Sequence, residues 1–431
     1  MVTGSKKYVK FFSMSNPPII RSDDLRAENR LRVLDVLRKV GSSTRSDLGE
    51  LTSLSAAAIS TLTSSLSHDG IVASDQPPAG STVEKQPGRR GRPQYTLHLD
   101  PRAARVVNAI FTIDRLQVRL LDYHGDELTA IQREFDSRQL NQEELLELLA
   151  NAIDSVLATS ETATPASRLR HIGVGFQGIT EHASGNVLWS PILSVENLPL
   201  GTYLEGRYAV PVTVHNDCRL IAKALHHAHE QTLGETFATV LFSHGVGLGL
   251  YIGGQPFAGH SSSALEIGHL QFQPNGALCR CGKHGCVEAY AADYGIKRLY
   301  AGERIDDQPQ GRVSVSELEK IVNAGLQGEQ SAIESFAIAG AAVGDGLSQL
   351  FTLLDPMPIA ILGRSREGLE LMRPALQDAL ASTMRDSQHA ENMIHSFDDA
   401  DLLLLKGLAL ETLTAVDRQF AFNAANVRDA S

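Results

Sequence analysis

Along the chain, apolar residues first recur at helical spacing and later at alternating spacing. From Arg26 to Val40, Leu31, Leu34 and Leu37 share one helix face, and Gly41 stops the run. Thr44 and Asp47 mark a capping box that opens a short helix to about Leu51. After the turn LTSLS, Ser55 caps a third helix through about His68. Its buried stripe is Ile59, Leu62 and Leu66, with Ser60, Thr61, Thr63 and Ser64 on other faces. Gly70 ends that helix, a strand begins at Ile71-Val72, and Gln94–Leu99 alternates as a returning strand. Helix, short helix, turn, helix and strand pair is the order of a winged helix-turn-helix. Residues 1–22 read as a flexible tail, so the first domain is set at 23–98.

From about Asp100 strands alternate with helices. Ala104–Thr112, Leu116–Tyr123 and Leu128–Phe135 read as strands, Asn141–Thr159 as a helix and Leu169–Gly175 as a further strand. That order predicts an α/β domain over residues 99–431. Val212–Val214 is a strand, and Asp217 is placed to cap a helix over Cys218–His229. Ser331–Leu354 is a helix whose small face (Ala337, Ala341, Gly344) suits packing against another helix. A last helix begins at Leu402–Leu405. No internal repeat is visible in the sequence.

Composition changes the picture in one respect. The net charge of −11 divides unevenly: residues 1–98 carry 14 Lys+Arg against 9 Asp+Glu, and the remainder 25 against 41. A basic front on an acidic body points to a nucleic-acid module joined to something else. Arg45 and the N-terminal half of the third helix (Ser55, Ala56, Ala57, Ser60, Thr61) are the candidate DNA contacts, small residues that allow close approach in the major groove. That half carries no Arg, Asn or Gln for a bidentate base contact, so it reads sequence weakly. In PGRRGRPQ, Arg89, Arg90 and Arg92 are spaced and followed by Gly91 and Pro93. They suit an arm in a narrow A·T-rich minor groove, or a basic linker. No run of about 18 apolar residues appears, so no membrane span is expected. The N-terminus lacks a secretory signal pattern, and a cytoplasmic location is expected.

Three of the four cysteines fall in one stretch, Cys279, Cys281 and Cys286, with His269 ten residues upstream of the first. One imidazole and three thiolates make a closed tetrahedral set suited to structural zinc. Gly282 and Gly285 allow tight turns between the ligands. Cys218 stands apart from the set.

Glu266-x-Gly-His269, followed by Cys279-x-Cys281-Gly-x-x-Gly-Cys286-x-Glu288, resembles the motif of the ROK family of repressors and sugar kinases. The resemblance spans nearly all of residues 100–425. It implies a two-lobed, actin-like sugar-kinase fold behind the winged domain. It also implies that His269 holds zinc through one ring nitrogen and faces a sugar with the other, and that Glu266 and Glu288 bind sugar hydroxyls. Asn216 and Asp217 correspond to the kinases' Asn-Asp pair, whose Asp is the general base. Gly175-Phe176-Gln177-Gly178 matches the loop that closes on the sugar, with Gln177 where Pro is usual.

The nucleotide side departs from the family pattern. The first phosphate loop, Asp-x-Gly-Gly-Thr in the kinases, falls in Ala109–Asp114, and no glycine occurs between Gly91 and Gly125. The second, Gly-Thr-Gly-x-Gly, reads Gly245-Val246-Gly247-Leu248-Gly249, with Val in place of the hydroxyl. The C-terminal Gly-Gly reads Gly363-Arg364. Phosphates are held by backbone N–H groups that glycine makes accessible. These departures argue for a sugar-responsive regulator without kinase activity; the resemblance further implies that it binds operator DNA as a homodimer or dimer of dimers. The effector is a sugar or sugar phosphate. Two alternatives stay open at this level: a working sugar kinase with an added DNA domain, and a regulator controlled by a protein partner.

Overall fold

The computed structural model describes residues 22–75, 95–159, 169–181, 183–260, 262, 265–309, 312–382 and 392–426. The tail reading therefore falls outside the described residues except at Ser22, where the first helix begins. Arg89, Arg90 and Arg92 also lie outside them. The chain divides into two compact units, residues 1–100 with 417–431, and residues 101–416.

The front unit holds helices Ser22–Val40, Arg45–Thr52 and Ala56–His68. Beside them lies a three-stranded antiparallel sheet, with Leu97–Leu99 between Ser42–Ser43 and Val72–Ser74. Ser55 caps its helix as read, its Oγ accepting from Ala58 N–H at 3.3 Å; at Thr44 only half of the expected capping box forms, Thr44 Oγ1 accepting from the Asp47 N–H at 3.2 Å. Val33, Leu34, Leu37, Leu48, Ile59, Leu66 and Leu97 form a sealed core. Thr63 differs from the reading. It is buried, donates to the Ile59 carbonyl at 2.8 Å and accepts from Arg45 Nε at 3.0 Å. A threonine that returns its hydroxyl to the helix backbone can face the core without an unmet polar group.

The domain boundary differs as well. The sequence places the last helix, Ala400–Asn426, wholly in the second domain, yet from Asp417 onward it belongs to the front unit. Asp417 accepts two 2.7 Å bonds from Arg38, with both side chains buried, and Arg30 Nη2 donates to the Phe420 carbonyl at 3.3 Å.

The second unit carries two five-stranded sheets of one topology. In the first the order is Val212–Asn216, Leu169–Phe176, Arg105–Phe111, Arg115–Asp122, Glu127–Glu134. In the second it is Ile394–Ser396, Ile359–Gly363, Phe237–Phe242, Val246–Ile252, Gln255–Pro256. Each sheet is an antiparallel meander extended by two parallel strands. The expected α/β architecture with two lobes is thus present, and the lobes repeat each other in topology although the sequence shows no repeat. Topology rests on alternation and loop length, which survive the divergence of individual residues.

Helix Gln330–Leu354 is long and apolar enough to cross a membrane by length and composition, but half of its most apolar window is buried. It packs on helix Arg366–Ala381 through Gly340 and Gly344. A Cβ at Gly340 would lie 2.2 Å from the Met372 carbonyl oxygen. Of the small face read from sequence, Gly344 makes the close approach, joined by Gly340 one turn before it in place of Ala337 and Ala341.

Breaking a buried ion pair from one side leaves a charge that water no longer solvates. Asp417→Asn is expected to destabilise the front unit by about 3–5 kcal/mol, read as a lower denaturant midpoint. The apolar double variant Arg38→Met/Asp417→Leu should recover most of that loss. An unshifted midpoint in Asp417→Asn would show that the pair is dispensable.

Candidate effector cleft and metal centre

Chemistry collects where strands end. Leu169–Phe176 and Val212–Asn216 run parallel, so Gln177-Gly178 and Asn216-Asp217 emerge side by side at their carboxyl ends, where α/β folds bind ligands. Asn216, not Asp217, caps the helix that follows, Asp217–Leu233. Its Oδ1 accepts from the Cys218 and Arg219 N–H groups at 2.9 and 3.3 Å. Its Nδ2 donates to the Gly178 carbonyl at 3.2 Å and ties the two loops together. Gly178 has φ +137°, and a Cβ there would fall 2.3 Å from the Trp189 carbonyl oxygen, so no other residue fits. Asp217 is buried, its Oδ1 accepting from Cys218 N at 2.8 Å, and burial raises its pKa.

From the second lobe, Glu266, His269 and Glu288 reach the same cavity, together with Gly178, Asn216 and Asp217. Every sugar-side residue expected from the sequence is therefore brought to one place. His269 has two faces. Nε2 lies 3.7 Å from Glu266 Oε2, and Nδ1 lies 3.8 Å from Cys279 Sγ. Burial, with the nearby Glu288 and Asp217 charges, raises Glu266 against the opposing pull of His269. Glu288 Oε1 accepts from the Tyr294 hydroxyl at 3.3 Å, and a Cβ on Gly245 would meet its Oε2 at 2.8 Å. That glycine leaves the second carboxylate oxygen room on the cleft side.

The ligand atoms of His269, Cys279, Cys281 and Cys286 all lie within 4.8 Å of one another. Cys281 and Cys286 Sγ are 3.8 Å apart. Tetrahedral zinc with Zn–S near 2.3 Å would set its thiolates about 3.8 Å apart, so the donors fit such a cation in both chemistry and spacing. Gly285 makes the loop possible: φ is +78°, and any Cβ would sit 1.7 Å from the Gln273 carbonyl oxygen. Cys218 is not among the four donors. Without a cation, burial pushes the Cys279 thiol up and the Cys286 thiol to about 11. A metal bound there must displace those protons.

A second cavity of about 530 Å³ adjoins the first, sharing Ile113, Gln177, Asp217 and His244. It occupies the side where the kinase pattern places the nucleotide. The turn between Arg105–Phe111 and Arg115–Asp122 is Thr112-Ile113-Asp114, with Phe111 and Ile113 buried. Burial works to raise Asp114, but the Thr112 hydroxyl and Arg312 outweigh it and hold the carboxylate ionised. Arg312 pairs with Asp114, and Arg364 with Asp293, both at 2.6 Å. Val246 turns out to lie within the strand Val246–Ile252. The turn facing the cavity is Ser243-His244-Gly245, closed by a 2.9 Å bond from Ser243 N to the Gly245 carbonyl. The side chain standing there is thus His244. Burial and the surrounding Arg364, Arg312 and Arg280 lower its pKa to about 3.

Reading the sequence missed Arg138, Arg280 and Trp189, all of which line the first cavity. Trp189 meets His269 edge-on at 6.0 Å. Arg280 stacks on Tyr294 at 4.3 Å and donates to the His244 carbonyl at 3.0 Å. Its place between two metal donors was the available signal. Arg138 had none, being carried into the site from a distant turn. In the front unit Arg45, Ser55, Ala56, Ala57, Ser60 and Thr61 are all exposed, with Thr61 Oγ1 bonded back to the Ala57 carbonyl at 3.0 Å.

A family model described as ROK family matches residues 120–401. The DNA-binding transcriptional dual regulator NagC of Escherichia coli is 25% identical over 354 residues, which are 82% of this chain and 84% of NagC. Among solved structures, a ROK family transcriptional regulator described as a homolog of the E. coli MLC protein superposes with a TM-score of 0.73 at 22% identity. The match covers 94% of this chain and 99% of that one. A ROK hexokinase from Thermus thermophilus superposes with a TM-score of 0.56 at 25% identity, covering 72% of this chain and 99% of the hexokinase. Likeness to the regulator extends over nearly the whole chain, and likeness to the kinase over less than three quarters of it.

Because binding must release thiol protons, metal affinity is expected to rise with pH and fall as the cysteines stay protonated toward acid. Elemental analysis should find one divalent ion per chain, and Co²⁺ substitution should give a tetrahedral thiolate spectrum. Cys281→Ser should lose the ion and lower the melting temperature. Full metal content in Cys281→Ser would show that the four donors are not the site.

Proposed function

The chain belongs to the ROK family, and on that premise we propose that it is a DNA-binding transcriptional regulator of carbohydrate genes, ordinarily a repressor. In this reading the second unit is a kinase-like sensor for a sugar or sugar phosphate. The observation that carries it is the contrast within the cleft. Asp217, Glu266, His269 and Glu288 converge on one cavity, while the adjoining side presents an ionised Asp114 in a turn without glycine. The turn Thr112-Ile113-Asp114 has no glycine to bring backbone N–H groups up to a phosphate, and its carboxylate is already engaged by Arg312. The chain is accordingly no enzyme in this reading.

The front unit acts as a winged helix-turn-helix. Helix Ala56–His68 enters the major groove by its exposed small residues, and Arg89, Arg90 and Arg92 enter the minor groove from the wing. Zinc occupies the four-donor cluster in a structural role and fixes the imidazole whose other face meets the sugar. Two chains, or two pairs, address a two-fold symmetric operator in the cytoplasm. Effector binding changes DNA affinity only as far as it prefers one lobe arrangement over another.

One feature favours the kinase reading: Asp217 stands buried in the cleft with a raised pKa, as a general base would. The deciding experiment titrates a complex of the full chain and its own upstream DNA with a panel of sugars and sugar phosphates, then assays the same sugars with ATP. Release or tightening of the complex by one sugar, without phosphoryl transfer, is expected. ATP-dependent phosphorylation abolished in Asp217→Ala would overturn the non-enzymatic reading. Indifference to every sugar would shift control to a protein partner.

The triple variant Arg89→Ala/Arg90→Ala/Arg92→Ala should weaken operator binding. Its log–log salt slope should flatten by about 0.9 for each phosphate contact removed. An unchanged slope would reduce the segment to a linker.

A further inference from the structure

The turn Thr112-Ile113-Asp114 belongs to the first lobe, and residues 312–314 lead into helix Val315–Leu326 of the second. Both segments line the second cavity, and across it Arg312 Nη1 lies 2.6 Å from Asp114 Oδ2. The next residue, Arg115, donates through Nη2 to Asp401 Oδ2 at 2.8 Å. Asp401 is in the first turn of helix Ala400–Asn426, which follows the second sheet's edge strand Ile394–Ser396. Two neighbouring residues of opposite charge thus leave one lobe and meet opposite charges on two separate elements across the cavity.

Both partners of the first pair stand on fixed bases. The Thr112 hydroxyl donates to Asp114 Oδ1 at 3.0 Å, and the Asp114 carbonyl accepts from Phe135 N at 3.1 Å. Beside Arg312, Val313 is buried in the core of the second lobe, and its carbonyl accepts from Arg364 at 3.0 Å. Ser314 then closes a capping box on the helix that follows. An exposed ion pair ordinarily loses much of its Coulomb gain to the entropy of ordering two long side chains. Here each lobe does part of that ordering by itself, so the pair favours the arrangement in which the lobes meet. In the kinase pattern a nucleotide would lie between these walls; in this chain charged side chains span them.

We propose that Asp114–Arg312, supported by Arg115–Asp401, is a latch that holds the two lobes together across the second cavity without a nucleotide. The latch concerns the second unit alone and does not depend on what the sugar side binds. Its strength follows from exposure. The Asp114 and Arg312 side chains are 39% and 38% exposed. Screening by water limits such a pair to a shift of about two- to fivefold between closed and open lobes at low salt. Asp401 is 67% exposed, and its pair adds less. A latch of this strength yields to salt, as a buried pair does not.

The test is the distribution of interlobe distances in the full-length, metal-loaded protein, read by single-molecule energy transfer. Ketone-bearing residues at the exposed positions Leu128 and Leu326, one on each lobe, take the dyes and leave the cysteines untouched. Labelled chains are diluted into unlabelled protein, so that transfer is read within one chain. Asp114→Asn removes the charge and keeps an oxygen for the Thr112 hydroxyl. It should move the closed-to-open ratio about two- to fivefold toward open at low salt. Arg312→Gln should do the same, and the double variant Asp114→Asn/Arg312→Gln should open no further than either single one, because both remove one interaction. Raising the salt should carry the wild type toward the variants' distribution and leave the double variant nearly unmoved.

A distribution in Asp114→Asn equal to that of the wild type overturns the latch. Effects that add in the double variant show that the two side chains act separately, and overturn the pairing. The wild type's own salt response needs no variant, and a distribution that salt does not move overturns the latch as well.

Discussion

The cleft turns on the orientation of one imidazole. His269 presents Nδ1 to Cys279 and Nε2 to Glu266. A ring held in this way cannot rotate to satisfy one neighbour without losing the other. Glu288 is fixed from the same loop: Tyr294 donates to it at 3.3 Å and to Cys279 Sγ at 3.5 Å. His269, Cys279, Tyr294 and Glu288 are therefore linked by hydrogen bonds, with Glu266 standing 3.7 Å from the imidazole. The tight turn at Gly285 shapes the loop behind them. Loops rarely hold polar groups in fixed places unless something ties them down, and here the four-donor cluster does so.

The two sides of the cleft follow different chemistry on a common scaffold. Both sheets deliver a short turn after a strand ending in phenylalanine, Thr112–Asp114 after Phe111 and Ser243–Gly245 after Phe242. Around the second cavity these turns meet ion pairs between arginine and aspartate, Arg312 with Asp114 and Arg364 with Asp293. In each pair the two charges compensate each other. On the sugar side, Arg138 Nε and Gln177 Oε1 are left without partners. Buried polar groups are normally satisfied, so the places where they are not are where a ligand is expected to complete the structure.

The front unit has a different economy. Its core is apolar and sealed, while the exposed face of Ala56–His68 carries alanine, serine and threonine. Such a face is built of small side chains that leave its backbone accessible. The buried Arg38–Asp417 pair ties the end of the last helix to the first helix. Two ends of the sequence thus stabilise one small unit that its own short helices would bury only in part.

Local patterns were legible in the sequence. Alternation located Arg105–Phe111, Arg115–Asp122 and Glu127–Glu134 to within a residue or so, and Ser55 and Thr44 marked their helices correctly. The spacing of His269, Cys279, Cys281 and Cys286 carried the donor cluster, because ligands close in sequence need only a tight turn to converge. The sequence did not reveal that Asn216 rather than Asp217 caps the helix, that Thr63 faces inward, or that Asp417 belongs with the front unit. Each depends on which neighbour competes for a side chain in three dimensions. The repeated topology of the lobes and the arrival of Arg138 and Trp189 at the cavity were likewise decided by the tertiary structure. A sequence fixes period and spacing along the chain, but contacts between residues tens of positions apart exist only once the sheets have assembled and closed the cleft around them.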